Sequence, residues 1–318
     1  MSIRSPAETA EYVSRCLELA ILLEVSAYPK PGNVHRTADF QETRYEHFLA
    51  SAVAAAPHFR QAAEQGIQVS TGKIDPADVG IGAVIKNAVK SVSLWQSDGN
   101  TLLGSIILLS PVAVGAGMTL AKEKFSLARL RESIRVIVES STPMDAVDVY
   151  DAIVIAKPAG LGKAPKLDVT DPNSKQKILD DQVTLFEVFK IASAYDSIAF
   201  EWVNNYSITF DLGYPYFSRE LEETKDVNTA TIHTFLKILS EVPDTFIARK
   251  VGLAKAKQVS AQAKQVLETG GLKTSSGRSR LQEFDKKLRD PAHNLSPGTT
   301  ADITEAVLAI SILSGYRP

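Results

Sequence analysis

One stretch of the chain limits its fold more than any other. From Gly99 to Ala121 the sequence GNTLLGSIILLSPVAVGAGMTLA contains no charged residue. An apolar run of about 20 residues is long enough to span a bilayer, but it also fits a helix that is buried on all sides within a helical domain. The run contains Pro111 and several hydroxyl side chains and glycines, and it lacks the aromatic residues that flank membrane spans. We therefore predict a buried central helix, with a membrane-spanning helix as the alternative.

The rest of the chain has the periodicity of helices. Apolar residues recur every three or four positions, and almost no segment alternates as a half-buried strand does. No shift in composition marks a domain boundary within the 318 residues. We predict an all-α fold, a single large helical domain over residues 1–318. Its helices are predicted at 7–27, 44–65, 76–95, 101–121, 126–140, 143–156, 179–206, 229–241, 243–268, 278–289 and 299–314.

Composition narrows the class of function. The chain has 35 basic and 37 acidic residues, so its overall field would not attract nucleic acid or an anionic membrane, and we expect neither as a partner. Cys16 is the one cysteine, which excludes an internal disulfide, and its apolar surroundings predict a buried packing residue. The N-terminus lacks the pattern of an export signal. We therefore expect a cytoplasmic protein; whether it forms a homo-oligomer is left open.

Polar clusters interrupt these apolar helices at three helix ends. In AYPKPGNVHR, residues 27–36, the side chains of Lys30, His35 and Arg36 offer donors, and Gly32 lets the backbone approach a ligand closely. The alternative is a turn stopped by proline, with solvated charges. Two further segments open helices with groups suited to an anion, although each could simply cap its helix. They are SDGNTLLG, with Asn100 and Thr101, and HNLSPGTTADI, with Asn294, Ser296 and Gly298.

Aspartates form a second group of candidates. Asp145, Asp148 and Asp151 follow at three-residue steps on one broad side of a predicted helix, where they are either surface acids or magnesium ligands. Asp196 lies among apolar neighbours, where a charge needs a partner, and Asp244 begins a helix that it could cap. Together with the lysines and arginines, these residues are the inventory needed to hold a magnesium triphosphate and a sugar.

The order of the polar segments resembles a known family. AYPKPGNVHR is similar to the TPKPGLVDR-type motif of the triphosphoribosyl-dephospho-CoA synthases, and GNTLLGSIILLSP to their VNTHKGxIFxLG segment. YDAIVIAKPAGLG resembles the PGGLG loop, and NLSPGTTADI resembles NLSPGGSADL. The resemblance runs from about residue 17 to residue 314. Leu102 and Leu103 depart from the family pattern, because they stand where the motif has His and Lys.

The resemblance implies an all-helical enzyme in which a hydroxyl of dephospho-CoA attacks the anomeric carbon of the ATP ribose and expels adenine. ATP, Mg²⁺ and dephospho-CoA or a related cofactor precursor would then be its small-molecule partners. A nucleotide-binding protein without this catalysis, within a cofactor biosynthesis pathway, is the alternative. The resemblance gives nucleotide-binding candidates at Lys30, Gly32, Asn33, Arg36, Asn100, Thr101, Asn294, Ser296 and Gly298, catalytic candidates at Asp39 and Asp302, and metal ligands at Asp151, Asp196 and Asp244.

Overall fold

The computed structural model describes residues 4–97, 99, 101–121, 125–290 and 293–318. Over these ranges the chain forms fifteen α-helices and no strand, as an all-α fold requires. The helices are α1 Pro6–Ser26, α2 Tyr45–Ser70, α3 Ile81–Trp95, α4 Leu103–Leu120, α5 Leu127–Glu139, α6 Pro143–Ala156, α7 Ser174–Asp180, α8 Leu185–Ala192, α9 Ser197–Val203, α10 Tyr214–Thr224, α11 Val227–Glu241, α12 Thr245–Val251, α13 Leu253–Glu268, α14 Ser275–Leu288 and α15 Gly298–Leu313.

The uncharged run forms α4, the central helix. By length and composition α4 could cross a membrane, but 83% of its span is buried inside the protein, where it packs against α1, α2, α5 and α15. Glycines let α4 approach α2 closely. A Cβ on Gly117 would lie 2.2 Å from the carbonyl oxygen of Ala63, and a Cβ on Gly66 would lie 2.0 Å from that of Val114. The prediction of a buried central helix is confirmed.

The C-terminal helix α15 lies next to this centre. It contacts α1 and α4 on one side and α11 on another, and most of its residues are buried. The main apolar cluster contains α1 to α6 with α15, and a smaller cluster is formed mainly by α11 to α14. Cys16 is a free, buried thiol of α1, as predicted. Because α1, α4 and α15 lie side by side, polar groups on them can meet in the interior.

Two predicted helices are wrong in extent, because each contains a point where one helix ends and another begins. The segment predicted as one helix over 179–206 contains α8 and α9, and the end of α7. The Thr184 side chain accepts a hydrogen bond from the Glu187 N–H at the start of α8, and the Asp196 carboxylate accepts two at the start of α9. The predicted helix over 243–268 breaks at Gly252, whose φ of 91° lies outside helical geometry.

Two further segments differ from the prediction. The segment after Pro76 is a short 3₁₀-helix, Pro76–Val79, and α3 begins only after Gly80 with φ 62°. A π-helix over Ile208–Gly213 followed by α10 was not predicted, because the sequence GYPYF carries turn residues. Pro215 lies in the first turn of α10, where proline is tolerated. A second 3₁₀-helix covers Gly271–Lys273.

Candidate active site

The first and last polar segments of the sequence are in direct contact. The Asn33 amide donates to the Pro297 carbonyl oxygen at 3.4 Å, and its Oδ1 accepts from the Ser296 hydroxyl at 3.2 Å. Gly32 donates its N–H to Asp285 at 2.8 Å, and a Cβ at Gly32, where φ is 70°, would lie 2.7 Å from Cβ of Leu288. The close approach that Gly32 permits is therefore to α14 of the same chain.

Lys30, predicted to bind nucleotide, is buried in an ion pair. Its ammonium donates to the Glu24 carboxylate at 2.5 Å and to the Glu24 carbonyl oxygen at 3.2 Å. Both side chains are only 2% exposed. Burial raises the pKa of the Glu24 carboxyl, and the nearby Lys30 cation opposes that rise. Lys30 thus belongs to the interior of the site, at the junction of α1 with the loop that follows it.

Asp302 joins the segment that opens α4 to the segment that opens α15. The Ser105 hydroxyl donates to Asp302 Oδ1 at 2.6 Å, and a Cβ on Gly104 would lie 2.1 Å from Oδ2. Asp302 stays partly exposed, so a ligand can reach it. Desolvation raises the pKa of Asp302 to about 7, with smaller contributions from Glu24, Asp244 and Asp196. Such a carboxyl group can accept a proton near neutral pH.

The other nucleotide candidates lie at the edges of this region or away from it. Thr101 hydrogen-bonds to the Ser51 hydroxyl at 2.7 Å. Arg36 is exposed and stacks over the Tyr28 ring at 4.0 Å.

The candidates of the last polar segment lie just before α15 or at its start. Asn294 donates its N–H to Asp290, and Gly298 opens α15. Asn100 lies outside the described residues.

The other aspartates have partners of their own. Asp39 is exposed and accepts the Tyr45 N–H at 2.8 Å, at the start of α2. Asp151 is paired with Lys86 and Lys175 on the side of α6. Asp196 caps α9 and is paired with Arg249.

Asp244 is buried at the start of α12, and all of its oxygens are used. One oxygen accepts two N–H groups of α12, and the other accepts the N–H and the hydroxyl of Thr300, each at 2.8 Å. Across the described part of the chain, no group of three or more acidic, histidine or cysteine side chains is arranged to hold a metal ion. Asp151, Asp196 and Asp244 therefore do not come together as a metal-binding group.

Two basic residues of α12 extend the region towards the loop over 157–173. Lys250 donates to the His293 carbonyl oxygen at 2.8 Å, and a Cβ on Gly160 would lie 2.9 Å from Cγ of Lys250. Arg249 reaches Asp196 with one terminal nitrogen, while its Nε is buried and has no hydrogen-bond partner. The family-like loop, α12 and the turn before α15 therefore lie side by side.

Unpartnered buried atoms concentrate in this region. Among the described residues they include Glu24 Oε1, Glu305 Oε2, His35 Nε2, Arg249 Nε and His293 Nδ1. Buried polar atoms normally have a partner, so these atoms are candidates for contacts with a substrate. Glu24, Ser105 and Glu305 were not among the predicted site residues. The signal that could have found the two glutamates is an acid inside an apolar helix, in AILLEVS and ITEAVLA.

A cleft of about 190 Å³ lies at the start of α4. Leu102 and Leu103, the residues that depart from the family motif, line it together with residues of α3 and the end of α6. Thr101 and Lys157 add polar groups to its wall. The cleft is thus largely apolar, with a polar edge that faces the start of α4.

Comparisons with known proteins agree with this arrangement of motifs. Residues 10–318 match the family model CitG, ATP:dephospho-CoA triphosphoribosyl transferase. The 2-(5''-triphosphoribosyl)-3'-dephosphocoenzyme-A synthase of Klebsiella pneumoniae is 37% identical over 89 residues, which is 28% of this chain and 29% of that protein. A relative from Salmonella choleraesuis, provisionally given the same name, is 23% identical over 287 residues, which is 89% of this chain and 85% of the relative. The match to the Klebsiella protein thus spans less than a third of that protein's length.

A solved structure has the same fold. The crystal structure of a protein from Archaeoglobus fulgidus, provisionally named a triphosphoribosyl-dephospho-CoA synthase, superposes with a TM-score of 0.60 at 22% identity. The superposition covers 85% of this chain and 100% of that one. Because the family model matches nearly the whole sequence, this chain belongs to the CitG family, ATP:dephospho-CoA triphosphoribosyl transferase.

Proposed function

We propose that this protein transfers the triphosphoribosyl group of ATP to a hydroxyl of dephospho-CoA and releases adenine. Family membership supports the reaction, and the observation that carries it in this chain is the environment of Asp302. Asp302 is the partly exposed acid at the point where the openings of α4 and α15 meet, close to the unpartnered polar atoms. The alternative of a nucleotide-binding protein without catalysis has no comparable observation in its favour.

The reaction exchanges one bond of the anomeric carbon for another and moves two protons. The acceptor oxygen bonds to the anomeric carbon of the ATP ribose, and the bond from that carbon to adenine breaks, leaving its electron pair on the base. The hydroxyl proton moves to the Asp302 carboxylate, adenine takes up a proton from water as it leaves, and Asp302 later returns its proton to water. Positive charge develops on the sugar, so acidic side chains around the reacting carbon stabilise the transition state. Asp302 and Asp196 supply such charge from α15 and from the start of α9.

The basic residues suit the triphosphate. Arg249 has an unpartnered buried Nε, and Lys250 lies beside it at the edge of the loop over 157–173. A guanidinium that is held by one carboxylate and has a free N–H can bind a phosphate oxygen in fixed geometry. The Asp196 contact orients Arg249 for that role.

Magnesium enters in this proposal with ATP rather than as a resident ion. The acidic residues described here do not fit a magnesium site made by protein alone. Magnesium commonly uses one or two carboxylates and substrate phosphates, so the absence of such a site is compatible with a magnesium-ATP substrate. No step of the reaction is assigned to the ion.

The test is to incubate the purified protein with ATP, magnesium and dephospho-CoA and to measure free adenine by chromatography. Asp302→Asn should lower adenine release by at least about a hundredfold while ATP binding persists. Asp180→Asn, at an exposed position on α7, is the matched control and should leave the rate of adenine release unchanged. Release of ADP instead of adenine, or full activity of Asp302→Asn, would contradict the proposal.

A further inference from the structure

Helix α15 carries a second acid next to Asp302. Glu305 lies three residues further along, on the same side of the helix, and is only 2% exposed. Ser105 of α4 is a hydrogen-bonding neighbour of both carboxyl groups. The two acids therefore form a pair, in which a substrate can reach Asp302 while Glu305 is enclosed by the protein.

Among the described residues, no cation forms an ion pair with Glu305. The cation that acts on it is Lys30, and Lys30 already donates to the Glu24 carboxylate and to the Glu24 carbonyl oxygen. Glu305 Oε2 is buried without a hydrogen-bond partner. A carboxylate in such surroundings is strongly destabilised unless it keeps its proton. Burial and the neighbouring acids raise the pKa of Glu305 well above its usual value.

Other elements add negative charge around the pair. The negative charge of Glu24 on α1 raises the pKa of both acids. The charges of Asp196 and Asp244, at the starts of α9 and α12, raise the pKa of Asp302. The facing cations, Lys30 and Arg249, are each already in an ion pair. If Glu305 were also ionised, Asp302 would be held in its protonated form and could not accept a proton near neutral pH.

We propose that Glu305 is a positioning residue that keeps its proton throughout the reaction, so that Asp302 alone carries the charge that accepts the proton of the attacking hydroxyl. In the step itself, the O–H bond of the acceptor breaks and its proton moves to Asp302. The O–H bond of Glu305 stays intact. This role rests on the proposed transferase reaction, but the proton on Glu305 can be observed without it.

The proton is tested by carbon NMR of protein labelled at the glutamate side-chain carboxyl carbon, at pH 8. We expect one resonance with the shift of a protonated acid in the wild type and its disappearance in Glu305→Gln. Glu201→Gln is the matched control, because Glu201 is also buried, but its oxygens accept hydrogen bonds from Ile208 and Thr209. The resonance should persist in that variant. If no resonance of a protonated acid disappears in Glu305→Gln, the proposal is overturned.

The positioning role is tested by the pH profile of adenine release. Glutamine is neutral and can still donate to the Ser105 hydroxyl, which itself donates to Asp302, so Glu305→Gln should keep the acidic limb of kcat/KM within about 0.3 pH unit of wild type. Glu305→Leu cannot donate to Ser105, so the carboxylate form of Asp302 is less well stabilised and the limb should move to higher pH. If the acidic limb moves to lower pH by about one unit in Glu305→Gln, Glu305 is ionised in the wild type. If the limb is unchanged in Glu305→Leu, Glu305 has no influence on the titration of Asp302. Either result overturns the role.

The two proposals fail in different ways. If the protein releases no adenine from ATP, the proposed reaction is wrong, and the NMR comparison alone decides whether Glu305 holds a proton. If adenine is released but the resonance is absent, the reaction stands and the role of Glu305 falls. Thermal unfolding of each variant, measured in parallel, separates loss of fold from loss of function.

Discussion

The Asp302 carboxyl group occupies the place where a side chain on Gly104 would be. A Cβ at Gly104 would lie 2.1 Å from Asp302 Oδ2 and 2.6 Å from its Cγ. The absence of a side chain at the start of α4 therefore fixes where the acid of α15 sits. Because the atoms in the way belong to the end of a side chain, the protein can relieve the contact by moving Asp302.

Gly104→Ala should therefore impair activity more than stability. Moving a reacting group by about 1 Å can cost about a hundredfold in rate, so we expect kcat/KM for adenine release to fall by at least about tenfold. The free energy of unfolding should change by less than about 1.5 kcal/mol, since alanine also favours the helix.

Gly117→Ala, on the same helix, is the comparison. Its Cβ would meet the backbone of α2 at Ala63, so it should lose about 1–3 kcal/mol of stability. Urea unfolding and adenine release, measured on both variants, test the contrast. A Gly104→Ala protein with wild-type activity would show that the position of Asp302 is not critical.

Apolar patterning predicts part of the fold, and the family resemblance predicts one contact of the candidate site. The uncharged run predicts a buried α4, and the resemblance assigns the loop after α1 and the turn before α15 to one nucleotide site. Asn33 and Ser296 of these two segments are hydrogen-bonded. The partner of a charge does not follow from local pattern. Asp196 pairs with Arg249, 53 residues away, so its partner could not be predicted from neighbouring residues. Glu24 is close to Lys30 in sequence, but α1 ends at Ser26, so helical periodicity does not relate the two side chains.

The Lys30 and Glu24 pair should contribute more to stability than to ATP affinity. Removing one partner of a buried ion pair leaves an uncompensated charge, so Lys30→Met should lose about 3–5 kcal/mol of unfolding free energy. The double variant Lys30→Met with Glu24→Leu should regain most of it, because both charges are then absent. Urea denaturation measures these differences.

Calorimetry of ATP binding separates the two roles of Lys30. If the Lys30 ammonium contacts only Glu24 and not ATP, the double variant should bind ATP with an affinity within about threefold of wild type. A loss of about a hundredfold in the stable double variant would instead place Lys30 against the nucleotide, as the sequence alone predicts.

His35 should make the protein sensitive to acid. Desolvation and the nearby Arg289, Lys30 and Arg36 cations lower the pKa of His35 from 6.5 to about 3. The unfolded chain then binds a proton that the folded protein does not, so stability falls as the pH drops from 6.5 towards 3. Between pH 7 and pH 4.5 this histidine should account for about 2–3 kcal/mol of lost unfolding free energy.

His35→Asn isolates that contribution. Its amide oxygen can replace Nδ1 as the acceptor of the Thr37 hydroxyl, which now bonds the ring at 3.1 Å, and asparagine does not titrate. Unfolding free energies at pH 7 and pH 4.5, compared between wild type and variant, should differ less in the variant. Equal acid losses in both proteins would assign the effect to other groups, such as His58 and His233, whose pKa values burial also lowers.

Metal binding should require ATP. Asp151 is held by two lysines, Asp196 by an arginine and a helix N-terminus, and Asp244 by four hydrogen bonds, so none offers an oxygen without displacing a partner. Manganese, used as a spin probe for magnesium, should therefore bind weakly to the protein alone and tightly once ATP supplies phosphate oxygens. Asp151→Asn should leave this ATP-dependent binding unchanged, because Asp151 of α6 is engaged with Lys86 of α3 and Lys175 of α7. One manganese ion bound tightly to the ATP-free protein would instead reveal a resident site and restore the aspartates as its candidate ligands.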